Sequence, residues 1–168
     1  MEVTEVLEVP TCALTSSASA IAIKKMKQTT SHILMSEPMH FAFNAEAAES
    51  DSFQNQSELT PEQLKEIVLK EFHQAVETLR SFGVEVTVIE GDPDIKVPDA
   101  VFPNNWISMH ESGELVLYPM AVPNRRAERR EDVIQNLMAK GEYNLIDLSH
   151  YEEGSSPQFL EGTGSLIF

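Results

Sequence analysis

The most regular pattern of apolar positions in the chain predicts an amphipathic helix that begins near residue 60. Thr60 is placed to cap this helix, Pro61 stands at its first position, and Gln63 completes a capping box. Apolar residues then recur three and four positions apart: Leu64, Ile67, Val68, Phe72, Ala75, Val76, Leu79 and Phe82. Because Gly83 follows the last of them, we expect the helix to end there.

Strand patterns stand on both sides of this helix. The apolar run Ile33–Met35 predicts a short buried strand before it, and the β-branched run Val84–Ile89 predicts a strand directly after it. A helix that leads into a strand through one glycine is typical of α/β proteins. We therefore predict an α/β fold.

A second set of patterns repeats this arrangement with an additional strand. Trp106–Met109 and Leu115–Tyr118 flank the polar segment Glu111–Glu114, which indicates a β-hairpin. A helix is predicted from about Arg125 to Ala139, followed by a strand over Tyr143–Leu148. The helix should bury Val133, Ile134 and Leu137. Since the earlier segment fits a similar unit, the sequence indicates a weak structural repeat.

Composition narrows the range of partners. The 168 residues suffice for one domain, and the net charge of −15 argues against nucleic acid and against an anionic membrane surface. The single cysteine, Cys12, excludes an internal disulfide framework and favours a reducing, cytoplasmic compartment. No Cys or His pair has zinc spacing, so we predict no metal and no other cofactor.

The first 30 residues differ from the rest of the chain. Early glutamates precede a Ser/Thr/Ala stretch, which fits neither a secretory signal nor a mitochondrial presequence. We expect residues 1–30 to be a disordered extension and residues 31–168 to be part of one domain. Cys12 lies in the extension, and a catalytic thiolate needs a structured electropositive setting, so we do not expect Cys12 to be catalytic.

Two polar turns in apolar surroundings are the candidate functional segments. Asp99–Trp106 contains two adjacent asparagines, and Phe159–Ser165 contains one glutamate. Burial of such groups is unfavourable unless a partner or ligand satisfies them, so these turns are typical of a binding site. The apolar residues Leu166–Phe168 that follow the second turn suggest that the chain ends inside its own core.

These segments resemble the guanidine-modifying superfamily, which includes arginine deiminases, dimethylarginine dimethylaminohydrolases and amidinotransferases. The resemblance lies in the two turns and in Tyr118–Met120 with Pro123–Arg130. His32–Asn44 and Phe53–Gln54 are also similar to the start of this group, and the greatest similarity is to citrulline-utilising hydrolases. The resemblance to the superfamily covers the chain from about residue 31 to the end.

The resemblance implies a pentein fold, a five-bladed α/β propeller of ββαβ units, which would be incomplete in this chain. It also implies that a cysteine thiolate attacks the central carbon of a guanidinium or ureido group while a histidine acts as acid and base. In the family both residues follow the Glu-Gly motif, and this chain has neither matching position. We therefore expect an inactive N-terminal fragment of such an enzyme.

The motif match also assigns residues to the site. Glu161 matches the acid that contacts the substrate nitrogens and the histidine, although a glutamate before two glycines is also typical of a simple turn cap. Asn105, with Asn104 before it, matches positions where dimethylarginine hydrolases carry acidic residues. An amide complements a neutral ureido group better than a cation, which favours citrulline. The alternative for this pair is an ordinary Asx turn.

The remaining candidates would bind the two ends of an amino acid substrate. Asp99 matches an acidic residue near the α-amino group, though Pro98-Asp99 is also a common turn pair. Arg125 or Arg126 matches the arginine that binds the α-carboxylate. Alternatively, the arginines at 125, 126, 129 and 130 form the solvated start of a helix paired with Glu128, Glu131 and Asp132.

His110 and His150 fit surface or supporting positions better than catalytic ones. The segment Pro38–Asn44 fits either a loop over the substrate or part of the core.

The preferred hypothesis is therefore a cofactor-free hydrolase of a non-peptide C–N bond in citrulline or a related compound. An arginine or dimethylarginine hydrolase and an amidinotransferase are the enzymatic alternatives, and a pentein-like binding module without chemistry is the non-enzymatic one. The expected partner is a small guanidino or ureido amino acid. The sequence leaves open whether the protein forms a homo-oligomer.

Overall fold

A computed structural model describes residues 29–48 and 57–162 of the chain. Its strands are β1 (His32–Ser36), β2 (Glu85–Ile89), β3 (Ile107–Met109), β4 (Glu114–Leu117) and β5 (Asn144–Asp147). Its helices are α1 (Ala45–Ala48), α2 (Pro61–Ser81) and α3 (Glu131–Lys140), with 3₁₀ turns at Pro103–Asn105, Pro123–Glu128 and Ser149–Glu152. The predicted α/β class is confirmed.

The first unit is a strand–helix–strand unit. β1 pairs in parallel with β2, in a register from His32 opposite Glu85 to Ser36 opposite Ile89. The connecting helix α2 packs Phe72 and Val76 against Val86 on the sheet. Both strands and the helix lie where the apolar pattern predicts them.

The local chemistry of α2 agrees with the sequence, whereas the burial of its apolar stripe is incomplete. The Gln63 amide donates to Thr60 Oγ1 (3.3 Å) and the Thr60 amide donates to Gln63 Oε1 (3.1 Å), so the capping box is confirmed. Gly83 ends the helix at a φ of +82°, a conformation that favours glycine. Phe72 and Val76 are buried, but Ile67 and Phe82 are exposed. The two described strands of this sheet are too few to cover the whole stripe.

The second unit contains the predicted hairpin. β3 pairs antiparallel with β4, β5 pairs in parallel with β4, and α3 connects β4 to β5. Ile89 of β2 packs into the core of this unit, which is otherwise formed by Trp106, Ile107, Leu115, Leu117, Met120, Val133, Ile134 and Leu137. All four residues of β5 are exposed, including Leu145 and Ile146. The two units share the strand–helix–strand order, which agrees with a weak repeat.

The predicted start of the second helix is wrong. Residues 123–128 form a 3₁₀ turn, and α3 begins only at Glu131. In a 3₁₀ turn the side chains at positions i and i+3 are eclipsed. Arg125 and Glu128 use this geometry to form a buried ion pair, so the turn serves a contact that a helical pattern does not predict.

Some predictions concern residues outside the described ranges. Nearly all of the expected extension over residues 1–30, which contains Cys12, lies outside them. So do Phe53–Gln54 and the part of the second polar turn that follows Gly162. Within the described ranges, no helix combines the length and apolar character needed to cross a membrane.

Candidate functional site

The candidate site is built where the segments after three strands meet. Asn44 follows β1, Asp99 follows β2, and Asn124 and Arg125 follow β4. Glu161 approaches from the last described segment. Residues that are 55 and 80 positions apart in the chain become direct neighbours here.

Asn44 connects these segments through its amide group. Its Nδ2 donates to Asp99 Oδ2 (2.6 Å) and to Asn124 Oδ1 (3.2 Å), and Asn124 Nδ2 donates back to Asn44 Oδ1 (2.8 Å). The same Asn44 oxygen accepts from the Ala47 amide at 3.4 Å and so caps α1. Glu46 of that helix accepts from the Asn124 backbone amide (3.2 Å). The buried amide thus aligns the loops after β1, β2 and β4.

Arg125 lies in the centre of an acidic cluster. Its Nε and Nη2 donate to the two carboxylate oxygens of Glu128 at 2.8 and 3.2 Å, which is the bidentate geometry that a guanidinium favours. Asp99 Oδ2 lies 3.9 Å from Nε, and Glu161 Oε2 lies 3.9 Å from Nη1. The Glu128 side chain is only 1% exposed, so its charge depends on Arg125.

The cluster formed by Asp99, Arg125, Glu128 and Glu161 has three carboxylates and one guanidinium. Burial raises the pKa of Glu128, because the loss of hydration opposes its charge more strongly than Arg125 stabilises it. Burial also opposes the charge of Arg125, but its hydrogen bonds with Glu128 and the carboxylates of Asp99 and Glu161 raise its pKa overall. With all groups ionised, the cluster has an excess of negative charge and favours an additional cation.

The raised pKa of Glu128 predicts a pH effect on stability. A carboxyl group with a raised pKa binds more protons in the folded state, so stability falls as the pH rises from the ordinary value of 4.5 towards the raised value. Glu128→Gln removes this titration. We expect the free energy of unfolding of the wild type, measured by urea denaturation, to decrease relative to that of this variant as the pH rises above 4.5.

Asp132 provides a control because its pKa is shifted in the opposite direction to that of Glu128. The hydrogen bond from Arg130 lowers the pKa of Asp132, so its contribution to stability is present above 3.8 and is lost as the pH falls. Asp132→Asn should therefore change the pH profile only at the acidic end. A Glu128→Gln profile that runs parallel to the wild type would contradict the prediction.

The structure places three of the six sequence-predicted site residues, Asp99, Arg125 and Glu161, in this cluster. Asn104 and Asn105 occupy the 3₁₀ turn before β3, where Asn104 Nδ2 donates to Asn105 Oδ1 (3.1 Å). Asn104 is exposed and Asn105 is half-buried. The two polar turns do meet, because the backbone carbonyl of Asn104 packs directly against Gly162.

Arg126 lies beside the cluster. Its Nε donates to the Met120 carbonyl (3.0 Å) and lies 3.5 Å from Glu152, and its guanidinium stacks 5.9 Å from the centre of the Phe159 ring. Its side chain is 33% exposed, against 7% for Arg125. Of the two arginines, Arg126 is the more accessible.

Sequence reasoning missed three members of the site. The sequence places Asn44 at the end of two candidate segments without a role of its own, Asn124 within a motif, and Glu128 as a surface partner of the arginines. The alternative in which the arginines pair with nearby acidic residues does predict the ion pairs Arg125–Glu128 and Arg130–Asp132. The acidic residue at 46, two positions after Asn44, was a signal for a helix cap at Asn44.

The histidines have partners of their own. His110 Nε2 lies 2.8 Å from Ser108 Oγ, and His150 Nδ1 lies 3.2 Å from the Asp147 carbonyl. His73 Nε2 lies 3.1 Å from Glu37. Within residues 29–48 and 57–162, no group of three or more His, Cys, Asp or Glu side chains is arranged to hold a metal ion.

Comparison with family models matches residues 37–168 to the eukaryotic N,N dimethylarginine dimethylhydrolases. The chain belongs to this family. It is thereby a member of the guanidine-modifying, amidinotransferase-type superfamily that the motifs resemble. A comparison with curated protein sequences finds no match.

Solved structures with a similar fold come from arginine-related enzymes. The N-terminal domain of ArgZ, an arginine dihydrolase from the ornithine–ammonia cycle in cyanobacteria, has a TM-score of 0.50 and 20% identity, covering 79% of this chain and 42% of that domain. AgrE with ornithine and NAD+ has a TM-score of 0.51 and 19% identity, covering 80% of this chain and 18% of AgrE. An AgrE mutant with L-arginine has a TM-score of 0.50 and 18% identity, and the match covers 79% of this chain and 17% of the AgrE mutant.

At such identities these structures support the fold alone. The chain spans less than half of the ArgZ domain and less than a fifth of AgrE.

Proposed function

We propose that this chain provides the N-terminal part of a hydrolase that acts on the guanidinium group of arginine or a methylated arginine. The observation that carries the proposal is the excess negative charge of the buried cluster around Arg125, in a chain of the dimethylarginine hydrolase family. A cationic substrate compensates this charge, whereas a neutral ureido group does not.

The citrulline hypothesis is not confirmed, and the arginine alternative has better support. The argument for citrulline was that Asn105 provides an amide where relatives have an acid. In the structure the Asn105 oxygen already accepts from Asn104, while carboxylates come from Asp99, Glu128 and Glu161. The family match agrees with a guanidinium substrate.

Each group of the site has a proposed role. Glu161 accepts N–H groups of the substrate guanidinium, and Asp99, held by Asn44, attracts the α-ammonium group. Asn104 and Asn105 line the site as polar groups. Of the two arginines proposed for the α-carboxylate, exposure favours Arg126 over Arg125. These roles follow from the motif resemblance and are consistent with the geometry.

The proposed reaction is attack of a cysteine thiolate on the guanidinium carbon, with release of ammonia or a methylamine and later hydrolysis of the covalent adduct. Cys12 lies outside the described residues.

For the fold, we propose that the β3–β4–α3–β5 segment is one ββαβ unit of a five-bladed propeller. The fold similarity to ArgZ supports this unit.

The test is ligand binding and product formation by the protein expressed from the full reading frame that contains these 168 residues. Calorimetry with L-arginine, N,N-dimethyl-L-arginine and L-citrulline should show tighter binding of the two cations. Glu161→Gln and Asp99→Asn should each weaken cation binding by roughly tenfold or more, about 1.4 kcal/mol, the loss of one charge-assisted hydrogen bond. Asp132→Asn, an exposed carboxylate outside the cluster, is the matched control.

The outcomes separate the alternatives. Tight binding of L-citrulline with no effect of Asp99→Asn would overturn the proposal. Ammonia or dimethylamine as product indicates hydrolysis, whereas transfer of the amidino group to an added amine indicates an amidinotransferase. Absence of binding to all three amino acids would favour a binding module of another kind.

A further inference from the structure

A second ionic cluster, centred on Glu152, lies next to the candidate site. The Glu152 carboxylate accepts from Arg129 Nη1 (2.7 Å) and Nη2 (2.6 Å), and from the backbone amide of Met120 (2.6 Å). Its side chain is only 6% exposed, and that of Arg129 is 13% exposed. Fork-to-fork pairing of this kind fixes the geometry as well as the charge. We call Arg129 and Glu152 the clamp.

The clamp holds the loop of residues 118–121. Arg129 Nη1 also donates to the Tyr118 carbonyl (3.2 Å), so both ends of the Arg129–Glu152 pair contact this loop. Arg126 Nε donates to the Met120 carbonyl (3.0 Å), and the Leu160 amide donates to the Pro119 carbonyl (3.1 Å). The loop therefore has a defined backbone position although it lies outside the regular strands.

This loop provides a contact for the proposed catalytic glutamate. The backbone amide of Ala121 donates to Glu161 Oε1 at 3.1 Å, while Glu161 Oε2 faces Arg125 at 3.9 Å. The Glu161 side chain is 25% exposed, so packing alone does not fix its carboxylate. Ala121 directly follows Met120, which the clamp holds, so a change in the clamp moves the donor to Glu161.

We infer that Arg129 and Glu152 are positioning residues for Glu161. They hold the loop of residues 118–121 so that the Ala121 amide orients the Glu161 carboxylate towards the substrate guanidinium. This inference rests on the proposed function of Glu161. A clamp that only attaches the 3₁₀ turn Ser149–Glu152 to the fold would stabilise the protein without this orienting effect, so a stability measurement alone does not distinguish the two.

A double-mutant cycle distinguishes them. In the full protein, Arg129→Lys keeps the charge but loses the fork, and Glu152→Gln keeps the shape but loses the charge. We expect Arg129→Lys to weaken binding of L-arginine by about fivefold to tenfold when Glu161 is present, and by less than about twofold when combined with Glu161→Gln. Glu152 also lies 3.5 Å from Arg126, so Glu152→Gln should lose less affinity in the Glu161→Gln background than in the wild type but should keep a loss that acts through Arg126. The loss of thermal stability should be the same in both backgrounds. Arg130→Lys, which changes the pair of Arg130 with the exposed Asp132 outside the cluster, is the matched control and should leave affinity unchanged.

A second readout does not depend on ligand binding. Glu161→Gln should shift the amide proton resonance of Ala121 in the wild-type background, and this shift should shrink when Arg129→Lys is also present. Equal losses of affinity in both backgrounds, together with an unchanged Ala121 response, would overturn the inference. If Glu161→Gln itself leaves the affinity for L-arginine unchanged, the proposed function of Glu161 fails, and the clamp loses its orienting role with it.

Discussion

Replacement of Arg125 by methionine should lower the free energy of unfolding by about 3–5 kcal/mol, because it leaves an uncompensated charge in the interior. The Glu128 carboxylate is 1% exposed and makes two hydrogen bonds with Arg125. Asp99 and Glu161 lie 3.9 Å from the same guanidinium and would repel one another and Glu128 once the cation is removed. Urea denaturation of the wild type and of Arg125→Met measures the difference.

Two comparisons make this experiment specific. Arg130→Met removes an arginine that pairs with Asp132, whose side chain is 59% exposed, and should cost about 1 kcal/mol or less. The double variant Arg125→Met with Glu128→Gln should recover part of the lost stability, because neither member of the buried pair remains charged. An Arg125→Met protein within about 1 kcal/mol of the wild type would show that the cluster is hydrated rather than buried.

Gly162→Ala should have the second largest effect, a loss of about 3 kcal/mol, at the upper end of the cost of overpacking. A Cβ atom at position 162 would overlap the carbonyl oxygen of Asn104 and would lie 3.4 Å from the Tyr118 ring. Backbone cannot move aside as a flexible side chain can, so the two polar turns would separate. Because Glu161 precedes this glycine, the affinity for L-arginine should decrease together with stability.

Gly154→Ala is the matched control for this substitution. Gly154 has a φ of +89°, so alanine is strained there, but no atom lies within 4 Å of an added Cβ. We expect a loss of about 1–2 kcal/mol with unchanged affinity for L-arginine. If Gly162→Ala costs no more than Gly154→Ala, the close contact between the two turns does not exist in solution.

The elements that depend on neighbouring residues were predictable from the sequence. The capping box at Thr60, the stop at Gly83 and the hairpin around Glu111–Glu114 each rest on interactions within a few positions. The fold class follows from them, because helices that alternate with strands require parallel pairing. Parallel pairing is present between β1 and β2 and between β4 and β5.

The site was predictable only in part, because its contacts are long-range. The motifs identified Asp99, Arg125 and Glu161, which the structure places together. The role of Asn44 depends on partners 55 and 80 positions away, and no local pattern contains that information. The late start of α3 has a different cause, because Arg125 and Glu128 are only three positions apart and their buried ion pair lies in a 3₁₀ turn where the pattern predicts the first helical turn.

The Asn44 amide has a consequence for how this protein changes over evolutionary time. The described strands form two separate sheets, and Asn44, Asp99 and Asn124 connect the segments that follow them. Of these three residues, Asp99 is the one proposed to bind the substrate, and it is also bonded to the residue that connects the two halves of the described fold. A substitution of Asp99 that alters specificity should therefore also alter the cooperativity of folding, so selection for a new substrate and selection for a stable chain act on the same side chain.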